Sequence, residues 1–528
     1  EKTVATLLEA RALITGLAES GSQWAKWKLE EIDQTIALCL GLRTEAQADT
    51  FAYVPGATAK LQLSALNRSP LPVTLTRIHV SGWGETDVPI KNKTLAYNKV
   101  DTNPVSLTVP AKQPLSQPFW LREPNNGNWY DIKDQTLIGR ADIVPEVTAR
   151  FDFAVSGGTF SITEPLHFRY ADPSKDEFVR PVVVEPPVAI DLPSRNFVFP
   201  VGASQTTSMQ VRAMVANQSG TLRLELPAGW RVSPASVPFQ LKEAGATEEA
   251  RFTVTPPAEA QTGRFKAIAR LQSGTEVATG VYVISYTHIP AQTVMEPSEG
   301  SIAAVSLKVL AKRVGYVMGS SDDEPAGLRQ MGVQVDLLDE KDLSSGDLSV
   351  YDAIITGVRA YSVRPDLRAS QARLLEYVKN GGTLVVQYNN NGDRRISPSV
   401  AEAFDHLGPY PFTIAGNNAR VTEENAPVEY LSNSPLLHYP NEIGHADFDG
   451  WVQERGLYFA DKWDPRYETP LETHDKGEAA LKGSLLYTKY GKGVYIFTAF
   501  SWFRQLPAGV PGAYRIFANL ISAGKTGH

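Results

Sequence analysis

Cysteine occurs once in 528 residues, at Cys39, so neither an internal disulfide nor a Cys-rich metal site can form. No apolar run reaches the ~20 residues that span a bilayer, which predicts a soluble chain with no membrane span. Net charge is −7 with 21% charged residues and no long block of one sign. The clustered basic surface that nucleic acid requires is therefore missing, and nucleic acid is excluded as a partner. Histidine is scarce, at eight residues, which leaves few sites for imidazole chemistry. No G-x-S-x-G elbow, Walker A loop or H-E-x-x-H motif is present, so the common serine-hydrolase, P-loop and zinc-protease signatures are gone.

What is present is a change of period along the chain. A length of 528 residues exceeds one hydrophobic core and implies several domains, together a multidomain α+β protein. In residues 1–46, Leu7, Ala10, Ile14 and Leu17, then Leu29, Ile32, Ile36 and Leu40, recur at helical spacing on either side of a Gly/Ser break. This predicts a helical hairpin, not a signal peptide, so the chain reads as a mature or truncated form, and Cys39 as a buried structural thiol. In residues 47–180 "AKLQLSALN", "VTLTRIHVSGW" and "TARFDFAV" alternate apolar and polar residues, which predicts a β-sandwich. Residues 188–292 carry short strands at even spacing, an Ig-like rhythm. In residues 300–528 strands alternate with helices, and "YDAIITG" and "TLVVQYN" are almost continuously apolar, which predicts a doubly wound parallel sheet.

Ligands of such a sheet gather beyond the carboxyl ends of its strands. Those ends hold "GSSDDEP" (319–325), "GVRAY" (357–361), "QYNNNGD" (387–393) and "FSWFR" (500–504), with "DFDGWVQERGLYF" (447–459) expected to lay Trp451 over them. The candidate ligand-binding residues are Arg359, Tyr361, Gln387, Asn389, Trp451, Glu454, Arg455, Trp502 and Arg504. Aromatic faces beside Arg donors suit a carbohydrate bearing carboxylate or acetamido groups, and equally a domain-docking surface. Asp322 and Asp323 read as a helix N-cap before Glu324-Pro325, or with Glu454 as an acid or base. Only His445 has two carboxylates close by, Asp447 and Asp449; a turn at Asp449 is the simpler reading, and no metal is assigned. Asn125, Asn126, Trp129 and Tyr130 either stack on a sugar or plug the end of the first sandwich.

Three resemblances add to this. "LPAGWRVSP" and "FTVTPP" resemble the Ig-like accessory module found beside glycan-active catalytic domains in bacteria. The terminal domain resembles the class I glutamine amidotransferase-like fold, but the turn that would carry its nucleophile reads "VVQYNNNG" and lacks the Cys, so acyl-enzyme chemistry is lost. "YDAIITGVRAY", "LLEYVKNGGTLVVQYN", "DFDGWVQERGLYF" and "YGKGVYIFTAFSWFRQLPAGVPGAYRIFANLIS" together resemble the C-terminal region of large bacterial PIG-L (LmbE-like) deacetylases. That resemblance implies Zn-dependent removal of acetyl from N-acetylglucosamine-type sugars, with Zn held by an A-H-P-D-D motif. The motif stands nowhere in this chain, so no catalytic residue or cofactor carries over, and Zn is expected only in a deacetylase domain outside it. The implied role is an accessory, carbohydrate-binding or scaffolding portion, periplasmic or secreted. Its implied partners are a glycan or N-acetyl sugar and a deacetylase domain in cis or trans. An independent glycan-active hydrolase working in the α/β cleft and a structural cell-surface module are the alternatives.

Overall fold

The computed structural model describes residues 2–525 except 126, 128, 142, 175, 321–322, 390–405 and 416–418, so Asn126 and Asp322 lie outside the described residues. Helices Lys2–Glu19 and Gln23–Cys39 follow one another, and the hydroxyl of Ser22 caps the second by accepting from the Ala25 N–H. Arg11 pairs with Asp33 across them. Asp33 also accepts from the Ser161 N–H at 3.3 Å, which fastens the helices to strand Gly158–Pro165. Cys39 is exposed, contrary to the expectation from its sequence, because the buried stripe of its helix runs through Ala25, Asp33, Ile36 and Ala37 and residue 39 falls off that face.

The first sandwich packs a five-stranded sheet, which includes Arg43–Ala48 and Thr58–Leu66, against a second built on Val73–Ser81 and Thr148–Val155. Alternation decides which side faces in: Thr148–Val155 buries Ala149, Phe151, Phe153 and Val155. In the second sandwich, strand Glu299–Val305 pairs antiparallel with Gln261–Leu271 and parallel with Asn196–Pro200. That domain therefore closes at Val305 and not at residue 292. The expected boundary at residue 300 would hand this strand to the next domain, and its partners place it in the sandwich.

Glu185-Pro186-Pro187 joins the two sandwiches. Glu185 is buried, and burial pushes its carboxyl up to about 7 against the pull of Arg212 and Arg180. A carboxyl raised in the folded state binds its proton more tightly there than in the unfolded chain. The resulting stability is fully present below pH 4.5 and is lost as pH rises to about 7. Glu185→Gln is expected to flatten the pH profile of unfolding across that window and to stabilise the protein at pH 8 by up to about 3 kcal/mol. Denaturant titration at a series of pH values reads this, and an unchanged slope in the variant refutes it.

The last domain is a six-stranded sheet in the order Gln334–Leu337, Arg313–Val317, Ala353–Thr356, Thr383–Gln387, Gly493–Thr498, Leu485–Tyr490. The first five strands run parallel, and the last forms an antiparallel hairpin with its neighbour. Ala353–Thr356 and Thr383–Gln387 are buried at every position, since one face of the sheet is covered by helix Pro511–Ser522 and the other by Gln371–Lys379. Strand order reverses at Arg313–Val317, so the loop after Ala353–Thr356 stands beside a topological switch point. The second sandwich shares a core with this domain. Val198, Ala303 and Val305 join the apolar cluster of Tyr316 and Leu328, and Gln330 accepts from the Val198 N–H at 2.6 Å. Among the described residues no helix is long and apolar enough to cross a membrane.

Candidate functional site

The loop that follows Ala353–Thr356 is held from two sides. The Arg359 N–H donates to the Tyr388 carbonyl at 2.9 Å, and the Tyr361 N–H to Asn389 Oδ1 at 3.0 Å. Asn389 in turn donates to the Gln387 carbonyl at 2.8 Å, so the loop is locked onto the end of the neighbouring strand. On the other side Gly319 lies so near Val358 that a Cβ would meet its carbonyl oxygen at 2.1 Å. Only glycine permits that approach.

Three non-glycine residues with left-handed backbone stand in this region: Arg359 (φ 55°), Gln453 (φ 66°) and Tyr458 (φ 57°). Each such conformation costs on the order of 1–3 kcal/mol and persists where its surroundings enforce it, as at ligand sites. Two of them meet at Tyr388. Its ring lies 5.4 Å from that of Tyr458 and 5.7 Å from that of Phe503. The Arg359 guanidinium is 5.9 Å from both the Tyr388 and the Tyr458 ring, and that of Arg504 is 4.8 Å from Phe503. Arg504 and the Ser501 hydroxyl donate to the Glu454 carboxylate at 2.7 and 3.2 Å. Burial pushes the Tyr388 phenol up to about 12, with Arg359 and Arg504 pulling it back, so it stays neutral and can donate. The buried Nε of Arg359 has no acceptor among the described residues.

Of the nine residues proposed from sequence, Arg359, Glu454 and Arg504 are half-buried in this cluster. The other six are structural. Tyr361 is buried and donates to Gln371 at 2.6 Å; Asn389 pins the loop; Gln387 is buried and donates to the Glu324 carboxylate. Trp451 does not cover the sheet end. It is buried against Phe448 and Trp502, at 5.7 and 5.4 Å, and donates to the Asp447 carbonyl. Trp502 is wholly buried and donates to Thr498 Oγ1 at 2.9 Å. Arg455 is buried and donates to the carbonyls of Ala426 and Phe448, and burial pulls its guanidinium down to about 10.

Sequence reasoning missed Tyr388, Tyr458 and Phe503 as site residues, although each lies within or beside a stretch assigned to the strand ends. It also missed Glu324, a wholly buried acid; its predecessor Asp323 takes the N-cap position without a side-chain cap bond. His445 stacks on Tyr430 at 4.8 Å and Asp447 pairs with Arg515 at 2.7 Å; among the described residues no group of three or more His, Cys, Asp or Glu could hold a metal. Trp129 and Tyr130, 66% and 48% exposed, do not plug the first sandwich, and Asn125 accepts from the Gly127 N–H in a turn.

Residues 202–281, the body of the second sandwich, match the family described as the NPCBM-associated, NEW3 domain of alpha-galactosidase. No curated protein matches the chain. Among solved structures, a β-galactosidase from Rahnella sp. R3 is 16% identical over 39% of this chain and 31% of its own, with a TM-score of 0.25. The alpha-2-macroglobulin of E. coli is 11% identical over 50% of this chain and 17% of its own, with a TM-score of 0.17. The chain thus spans about a third of the one and a sixth of the other, and at such TM-scores neither assigns it a fold or an activity. The family match is not to a PIG-L deacetylase; it makes one domain of this chain similar to an accessory domain of α-galactosidase.

Proposed function

We propose that this chain is the carbohydrate-engaging accessory portion of an exported glycan-active enzyme of the PIG-L deacetylase type. Its terminal domain has an amidotransferase-like scaffold without the thiol, and its Zn-dependent catalytic domain lies elsewhere. The observation that carries the reading is the likeness of residues 202–281 to the α-galactosidase NEW3 domain. The long motifs of the terminal domain support the finer assignment. The cluster around Tyr388 supports gripping over cleavage, because its acid, Glu454, is held by Arg504 and Ser501.

The test is calorimetric titration of the purified chain with N-acetylglucosamine oligosaccharides, with acetate release monitored in parallel. Saturable binding without acetate is the expected result. Acetate release by the chain alone would make it an independent hydrolase, and no binding to any glycan would make it a structural module. Trp129→Ala is expected to leave stability within about 0.5 kcal/mol, because the indole stands in solvent, and to shorten retention on an immobilised glycan. Unchanged retention would remove Trp129 from the sugar-contacting surface.

A further inference from the structure

We infer that Arg359 is an anion receptor and that its ligand is a sugar acid, a pyranose carrying one carboxylate. This rests on the reading that the chain grips glycans and names the class of glycan.

The argument begins with what the other arginines near this end of the sheet do. Arg364 pairs with Asp366, Arg368 donates to the Tyr361 carbonyl, Arg373 to the carbonyls of Leu343 and Gly346, and Arg504 pairs with Glu454. Arg359 has aromatic rings beside it and no acidic or carbonyl partner among the described residues, and its Nε is shut off from water. An unmet buried donor is destabilising, and so is a left-handed arginine. The strained arginine is retained at the carboxyl ends of a parallel sheet, and its half-buried guanidinium keeps Nη groups, unlike Nε, that a bound oxyanion would meet.

The charge nearby selects the anion. Arg504 is paired with Glu454, which leaves Arg359 as the cation of this cluster without a counter-charge among the described residues. A monoanion neutralises that single cation, whereas a dianion leaves one negative charge uncompensated beside Glu454. Carboxylate also matches the planar fork of a guanidinium, and the rings of Tyr388, Tyr458 and Phe503 offer faces for the C–H side of a pyranose.

The experiment titrates the full chain with uronic-acid oligosaccharides, neutral N-acetylglucosamine oligosaccharides and inorganic phosphate, for the parent and for Arg359→Gly and Arg359→Lys. Glycine suits a φ of 55°, so Arg359→Gly is expected to keep the parent's unfolding midpoint while it weakens uronate binding at least tenfold. Arg359→Lys is expected to bind with intermediate affinity, because it keeps the charge and loses the fork. Undiminished uronate binding by Arg359→Gly overturns the inference, as does a preference for phosphate. Binding of neutral glycans with none of uronates overturns it and leaves the accessory-portion reading standing, whereas failure of both glycan classes to bind removes that reading too.

Discussion

Trp502→Ala is expected to destabilise the terminal domain by about 3–5 kcal/mol, the range for truncating a large aromatic in a packed core. The side chain is wholly buried and ringed by Trp451, Phe500 and Phe517 at 5.4–5.7 Å. Its indole N–H meets Thr498 Oγ1, so truncation opens a cavity and takes away that hydroxyl's donor. The loss is also shared, because the same rings support Trp451 and helix Pro511–Ser522. Equilibrium denaturation monitored by tryptophan fluorescence and circular dichroism reads the transition; with several domains present, the one that moves must be identified before a free energy is assigned. A loss under about 1 kcal/mol, accompanied by a loss of glycan affinity, would return Trp502 to the ligand contacts.

Arg455→Ala is expected to cost a similar amount, about 3–5 kcal/mol, by a different route. The guanidinium donates twice to the Ala426 carbonyl and once to that of Phe448, and it packs 5.3 Å from the Trp451 ring. Its charge persists at neutral pH, since burial lowers it only to about 10. Removing it leaves two acceptors without their donor and takes away the post that holds residues 448–455 against 426. Arg455→Met keeps most of the apolar stem and none of the donors. It should recover only the packing part, and near-parental stability in Arg455→Met would show that the hydrogen bonds contribute little.

These two residues also show where the sequence stops being informative. Trp and Arg are the side chains that line ligand clefts and staple interfaces, so their presence at 451, 455 and 502 left both readings open, and they also fill cores. The decision came from residues far away in the chain: Ala426 for Arg455, Phe517 for Trp502. Arg359 and Arg504 were legible as residues at the carboxyl ends of the sheet's strands, because chain position alone places them there. Tyr458 was not, because nothing in the letter sequence marks a left-handed tyrosine.

By itself the sequence determined the alternation of periods along the chain and the lack of a Cys in the turn after Thr383–Gln387. Alternation along Thr148–Val155 and continuous burial along Ala353–Thr356 are local properties, written in residues two apart or adjacent. Tertiary structure alone decided that Glu299–Val305 belongs to the second sandwich, that Cys39 faces solvent, and that Trp451 turns inward while Arg359 Nε meets no acceptor among the described residues. The physical reason is common to all four: pairing, burial and hydrogen-bond satisfaction are settled by segments brought close only when the chain has folded.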